Sequence, residues 1–315
     1  VPRCPAPIAH DALRRFSHRL CIGAILAIAT PAHAQQAQNP SPISDTTRPH
    51  PRVAESRADG ERTTLSLGEL FVPAAAAARK RVTMPLVMHL HGTPWLIERH
   101  IAKAVPHAAL VTVNLGAGSG RYAAPFADAA KFSALLDEAA DATARITGRR
   151  PTWSSVTLTS WSAGYGAVRA ILSTPDTAAR VNTVILLDSL HASYVIGGDP
   201  SAARSKDPAV NVSDLDAFTR LAADAAAGRK RFWITHSEVY PGTYASTTDT
   251  ANALLASLGL SRQPVLKHGP LGMQQLSEAR REGFQLLGFA GNSAADHVDH
   301  LYALGDWLRA WKVVQ

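Results

Sequence analysis

Cysteine is nearly absent from the chain: Cys4 and Cys21 are the two among 315 residues, and both fall within the first 34. From Gln35 onward there is no thiol, which excludes disulfides, a cysteine nucleophile and cysteine metal ligands there. Long apolar runs are missing too. The stretch Leu20 to Ala29 is shorter than the about 20 residues a bilayer-spanning helix needs, and no later segment is long enough. Blocks of one charge are equally scarce. Of the formal net charge of +7, +3 belongs to the first 34 residues (Arg3, Arg14, Arg15 and Arg19 against Asp11). The triplets Arg79-Lys80-Arg81 and Arg229-Lys230-Arg231 each precede an apolar strand and read as solvated turns, so a nucleic-acid partner is not expected. Tight His-x-x-x-His spacing does not occur; His91, His191 and His236 read as bonding loop backbone, and no metal is expected. No cofactor is expected either, because Gly116-Ala117-Gly118-Ser119-Gly120 is followed by Arg121, where the dinucleotide fingerprint needs glycine. It reads as a rim loop, with the next helix starting late.

What is present divides the chain in three. Basic residues (Arg14, Arg15, Arg19), the apolar stretch and Pro31-Ala32-His33-Ala34 form an export signal cut after Ala34. That predicts a periplasmic or secreted protein without a membrane anchor. Residues 35–60, rich in Gln, Pro, Ser, Thr and Arg, read as a flexible lead-in. Residues 61–315 read as one folded domain. With 46% hydrophobic and 18% charged residues, the chain has enough apolar material for a sizeable core.

In that region short apolar strands alternate with helical runs. Eight strands are expected: Thr63 to Leu67, Glu69 to Val72, Leu86 to Leu90, Ala109 to Leu115, Val156 to Thr159, Thr183 to Leu187, Phe232 to Thr235 and Phe284 to Phe289. Helical runs are Leu96 to Val105, Ala127 to Thr147, Ala163 to Ser173, Leu215 to Ala227, Thr248 to Leu258 and His297 to Trp311. Such alternation predicts an α/β fold, a mainly parallel sheet with helices on both faces. Reactive side chains then gather at the C-terminal strand ends. The connection from His191 to Lys230 leaves about 20 residues beyond its helix, too few for a large cap domain.

The most informative stretch is Ser160-Trp161-Ser162-Ala163-Gly164, set between a β-branched strand and a helix. Ser-x-Ser-x-Gly in that setting is the layout of a nucleophile elbow, a tight strand-to-helix turn that lifts the central hydroxyl clear of the backbone. Small residues two positions either side allow strand and helix to pass closely. Other strand ends carry His91-Gly92-Thr93, Asp188-Ser189-Leu190-His191 and His236-Ser237-Glu238, and the last strand leads to Asp296-His297-Val298-Asp299-His300.

On the His-Gly turn, the elbow and the late histidine, in the order Ser, acid, His, the chain from about Thr63 to Trp311 resembles the α/β-hydrolase superfamily. The resemblance implies a serine hydrolase acting on carboxylic esters through an acyl-enzyme. Ser162 would be the nucleophile and His297 its base, with His300, one turn on, as the alternative. The acid is Asp188 or Glu238. Asp188 is favoured because it abuts four apolar residues that fix its depth. The resemblance also implies backbone N–H donors of Thr93 and Ala163 for the tetrahedral oxyanion. Trp95, Trp161 and Tyr165 flank the site as a candidate apolar pocket, Trp161 reading equally as core. An open cleft suits bulky or polymeric esters. A peptidase or amidase using the same triad, and a non-catalytic binding protein on the same fold, are the other readings.

Overall fold

The computed structural model describes residues 55–79, 82–195 and 209–313. The expected export signal and most of the expected lead-in lie outside these residues, as do Lys80 and Arg81. The strands are β1 (Gly60–Thr64), β2 (Glu69–Pro73), β3 (Thr83–Leu90), β4 (Ala109–Val113), β5 (Thr152–Trp161), β6 (Thr183–Leu187), β7 (Arg231–His236), β8 (Gln263–His268), β9 (Gln274–Arg281) and β10 (Phe284–Phe289). The helices are α1 (Ala74–Ala77), α2 (Pro94–Ala104), α3 (Ser119–Ala123), α4 (Ala129–Thr147), α5 (Tyr165–Ser173), α6 (Pro175–Arg180), α7 (Asp216–Ala226), α8 (Thr247–Ser257), α9 (Ala294–Tyr302) and α10 (Leu304–Ala310). No helix among the described residues is long and apolar enough to cross a membrane.

All ten strands join one sheet, in the order β1-β2-β4-β3-β5-β6-β7-β10-β9-β8. From β4 to β10 the pairs are parallel, and β2 and β9 flank them antiparallel. Alternation along the central strands divides the core in two. Val184 and Leu186 face one cluster with Val168 of α5 and Phe218 of α7, whereas Ile185 and Leu187 face the other, with Ile97 of α2 and Trp307 of α10. Helices therefore cover both faces, as the alternation predicts.

The structure departs from expectation in several places. The sheet has ten strands rather than eight, because β8 and β9 form a polar hairpin at the edge. Five of the six β8 residues are exposed, so the apolar signal that marks the other strands is missing. The last helical run breaks at Ala303 into α9 and α10, and α9 starts three residues before His297. Ser293 caps α9 by accepting from the Asp296 N–H, while Asp296 accepts from the Ser293 N–H. Finally, α3 begins at Ser119 inside the glycine-rich loop rather than late. Lys230, read as solvated, donates to the Ala178 carbonyl (2.9 Å) and the Val181 carbonyl (2.5 Å).

One buried ion pair ties the sheet edge to α2. Glu98, 1% exposed, accepts from both Nε (3.1 Å) and Nη2 (2.6 Å) of Arg62, with half-exposed Arg57 at 3.5 Å. Removing one partner of a buried pair leaves a desolvated charge. We expect Arg62→Met to cost about 3 kcal/mol in urea unfolding, and Arg57→Met far less.

Candidate functional site

The elbow takes its shape from sterics. β5 ends at Trp161, Ser162–Gly164 forms a 3-10 turn and α5 follows. Ser162 sits at φ 48°, a left-handed conformation that costs a non-glycine residue of order 1 kcal/mol or more. A Cβ on Gly164 would lie 2.0 Å from the Leu90 carbonyl oxygen and 3.0 Å from the Ser160 Cβ. This is why small residues flank Ser162. Gly164→Ala is expected to distort or unfold the turn, read out as loss of the native thermal transition. The Ser160 hydroxyl pairs with the Ser189 hydroxyl (2.8 Å), and Ser189 Oγ also donates to the Ser162 carbonyl (2.7 Å). The elbow is thereby anchored to the end of β6.

Asp188 stands at that same strand end, 1% exposed and at φ 45°. Its Oδ1 accepts from the Ser237 N–H (2.9 Å) and the Thr247 hydroxyl (2.6 Å); its Oδ2 accepts from the Ser237 hydroxyl (2.5 Å). The fourth partner is His297, whose Nδ1–H lies 2.7 Å from Oδ2. Burial is the largest single influence on this carboxyl and opposes its charge. The hydrogen bond and charge of His297, the neighbouring His300 and the Ser237 hydroxyl outweigh it, holding Asp188 well below the usual carboxylate range. A buried carboxylate with this many donors is fixed in direction as well as in charge.

Glu238 and His300 stand elsewhere. Glu238 is exposed, and its backbone N–H donates to the Gly291 carbonyl (2.8 Å). His300 is 1% exposed, with Nδ1 2.7 Å from the Thr235 hydroxyl and its ring edge-on to Phe289. It packs beneath the strand ends as a satisfied core histidine.

Two side chains close over the elbow. The Trp161 ring is stacked between His91 (centroids 5.0 Å apart) and His297 (4.7 Å), and its Nε1–H donates to the His297 carbonyl (3.0 Å). His91, at φ 70°, has Nδ1 2.7 Å from the Tyr122 hydroxyl. Burial pushes the His91 imidazole down to about 4, against the Asn114 side chain and aided by repulsion from His297.

Thr93 is the exposed N-cap of α2, immediately after Gly92, and Ala163 is the second residue of the elbow turn. An N–H this early in a helical turn has no intrahelical acceptor. Tyr165, at the start of α5, donates its hydroxyl to Ser119 (3.1 Å) and leans on His191. The glycine-rich loop thus rims the elbow helix, where a Cβ on Gly166 would lie 2.1 Å from the Ser119 carbonyl oxygen. Trp95 lies in the first turn of α2, with the Arg99 guanidinium 6.0 Å from its ring centre. Among the described residues no cluster of His, Asp or Glu is arranged to hold a metal ion.

Sequence reasoning missed Ser237 and Thr247, which hold Asp188. Ser237 belongs to a strand end already read for its acid, Glu238. Thr247 opens α8, whose Ser246–Asp249 capping box is a local signal for where that helix starts.

No protein-family model matches the chain, and no curated protein matches it. Among solved structures it is similar to carboxyl esterase 2 of the fungus Tuber melanosporum, at 12% identity over 84% of this chain and 89% of that one, TM-score 0.42. It is likewise similar to esterases of the fungus Rhizomucor miehei, at 10% identity over 86% and 88%, TM-score 0.46. A third is the enterobactin esterase of Shigella flexneri, at 14% identity over 84% of this chain and 62% of that one, TM-score 0.46. The likeness rests on the strand order rather than on these distant structures. With the β8–β9 hairpin set aside, the sheet runs 1-2-4-3-5-6-7-8, with an elbow after the fifth strand. By fold the chain resembles the α/β-hydrolases.

Proposed function

We propose that the protein is an exported serine hydrolase that cleaves carboxylic esters through an acyl-enzyme. Ser162 is the nucleophile, His297 the base and Asp188 the acid behind it, within a catalytic domain of residues 61–315. The observation that carries this reading is the hydrogen bond from the His297 Nδ1–H to Asp188, beside a strained elbow serine. A serine hydroxyl is a poor nucleophile until a base takes its proton. With Nδ1–H committed to Asp188, the His297 Nε2 carries the lone pair.

Ser162 Oγ attacks the ester carbonyl carbon while its proton passes to Nε2, giving a tetrahedral oxyanion. The N–H groups of Thr93 and Ala163 donate to that oxyanion, an effect worth about 100- to 1000-fold in rate per donor. Nε2 then returns the proton to the departing alcohol. Water, deprotonated by the same nitrogen, releases the acid and restores Ser162. Tyr165 and Trp95 line the approach, and an open cleft would admit bulky or polymeric esters.

An amide is the nearest rival substrate, since the same residues serve a poorer leaving group. Matched ester and amide substrates test this: we expect ester turnover to exceed amide turnover, and the reverse order would contradict the ester reading. His297→Ala is expected to abolish turnover in folded protein, whereas His300→Ala should chiefly lower stability by opening a cavity beside Phe289. Equal, mild losses of rate would remove both histidines from the role of base.

A further inference from the structure

Trp161 occupies the variable position of the elbow, yet two imidazoles stack on its indole and its polar edge is taken. The ring is 9% exposed, its plane tilted 10° from that of His91 and 29° from that of His297. So covered, it is poorly suited to contact substrate as a pocket wall. It touches His297 twice, ring on ring and Nε1–H to carbonyl oxygen at 3.0 Å. Asp188 restrains the same imidazole at Nδ1. A hydrogen bond at one ring nitrogen still allows the ring to pivot about it; an indole against its face removes that freedom and fixes where Nε2 points.

We propose that Trp161 is a positioning residue, clamped from behind by His91, that sets the plane of His297 and favours its imidazolium form. This rests on the reading of His297 as the base. The face of an indole carries negative quadrupole and attracts a cation stacked on it. During attack on the ester, His297 becomes that cation. The clamp behind the indole is held by the Tyr122 hydroxyl, which itself accepts from the Leu115 N–H (2.9 Å). His91 stays neutral near pH 7, because burial holds it down to about 4, so it adds no competing charge. The titratable groups facing His297 are Asp188 and His191 from the end of β6, His91 from the end of β3, and His300 on its own helix. Of these, Asp188 alone is charged at neutral pH, and it acts through Nδ1.

The test is the pH dependence of p-nitrophenyl acetate hydrolysis by wild type, Trp161→Phe, Trp161→Leu and Ser162→Ala. Trp161→Leu is expected to lower kcat about 100-fold, the scale of a misplaced catalytic group, with KM changed less than about threefold. The acid limb of its kcat/KM profile should move down by about half a pH unit, because the stacked indole no longer favours the cation. Trp161→Phe, which keeps a weaker ring face and loses the N–H, should fall between. A leucine variant with unaltered kcat, or with lowered kcat and an unmoved acid limb, overturns the proposal. Should the leucine variant not fold, NMR titration of His297 in Trp161→Phe decides: a pKa below wild type supports the stacking role, and an unchanged one overturns it. Ser162→Ala separates the two levels of the account. Retained turnover in that variant removes the Ser162–His297 reading and this inference with it. An inactive Ser162→Ala beside wild-type behaviour of the Trp161 variants removes the inference alone.

Discussion

Asp188→Asn is expected to lower kcat on ester substrates by about 10,000-fold, the cost seen when a triad acid becomes an amide, while the protein stays folded. The magnitude follows from the tautomer. In the native site four donors converge on the carboxylate: the Ser237 N–H and hydroxyl, the Thr247 hydroxyl and the His297 Nδ1–H. Asparagine offers one acceptor oxygen in place of two. With that oxygen kept by the Ser237 N–H and Thr247, its NH2 group faces His297 Nδ1. The imidazole must then accept at Nδ1 and carry its proton on Nε2, leaving no lone pair towards Ser162. The Ser237 hydroxyl can rotate to accept instead of donate, so the hydrogen-bond count in the core survives. Glu238→Gln, a change at the exposed rival acid, should leave kcat/KM within about twofold. Steady-state kinetics of the two variants beside wild type check both statements. A mild Asp188→Asn with a severe Glu238→Gln would reverse the assignment.

The second large effect is on stability in acid. His89 and His236 are buried and held neutral. The His89 Nδ1 lies 2.7 Å from the Thr159 hydroxyl and its Nε2–H donates to the His91 carbonyl (2.8 Å). Arg262 donates to the His236 Nε2 (2.7 Å), so that nitrogen carries a lone pair, and Nδ1–H donates to the Ser237 carbonyl (3.0 Å). Burial pushes His89 down to about 3. Burial first, then the Arg262 charge, pushes His236 down to about 4. Burial lowers His300 as well.

Each of these groups has a folded-state pKa below its unfolded value of about 6.5, so below that pH the unfolded chain binds more protons than the native protein. Stability is therefore complete above about pH 6.5 and is lost as pH falls towards 4. For His89 and His236 the loss between pH 7 and 5.5 comes to about 2.5 kcal/mol, a sizeable share of the 5–15 kcal/mol typical of a domain. Asp188 acts in a different window. Its pKa is depressed, so its contribution persists until pH drops below the ordinary carboxylate value. Urea midpoints across pH 5 to 8 are expected to fall steeply below 6.5. A flat profile there would mean that the buried histidines are charged in the native state or already shielded in the unfolded one.

The parts of this molecule that the sequence reveals are those set by neighbours along the chain. β-branched runs bounded by helical periodicity mark the central strands. The elbow is legible because Gly164 has no room for a Cβ and Ser160 is buried against Ser189, which limits both positions to small residues. Favouring Asp188 over Glu238 follows from four apolar residues that carry the chain straight into Asp188. The hairpin of β8 and β9 escapes notice because an exposed edge strand needs no apolar alternation. Side-chain partnerships across the fold are not legible. Thr247 reaches Asp188 from 59 residues away, and Trp161 meets the carbonyl of His297 across 136. Only the assembled sheet brings the ends of β3, β5 and β6 beside α9, so the place of Trp161 between two imidazoles has no local signature.

The most direct test of the central claim is active-site labelling. Folded protein is treated with a fluorophosphonate, and the modified peptide is identified by mass spectrometry. The account predicts one adduct on Ser162, absent from Ser162→Ala and strongly slowed in His297→Ala. Folded wild-type protein that takes no label, or takes it equally with Ser162 replaced, would contradict a nucleophilic serine at the elbow and favour a binding protein on this fold.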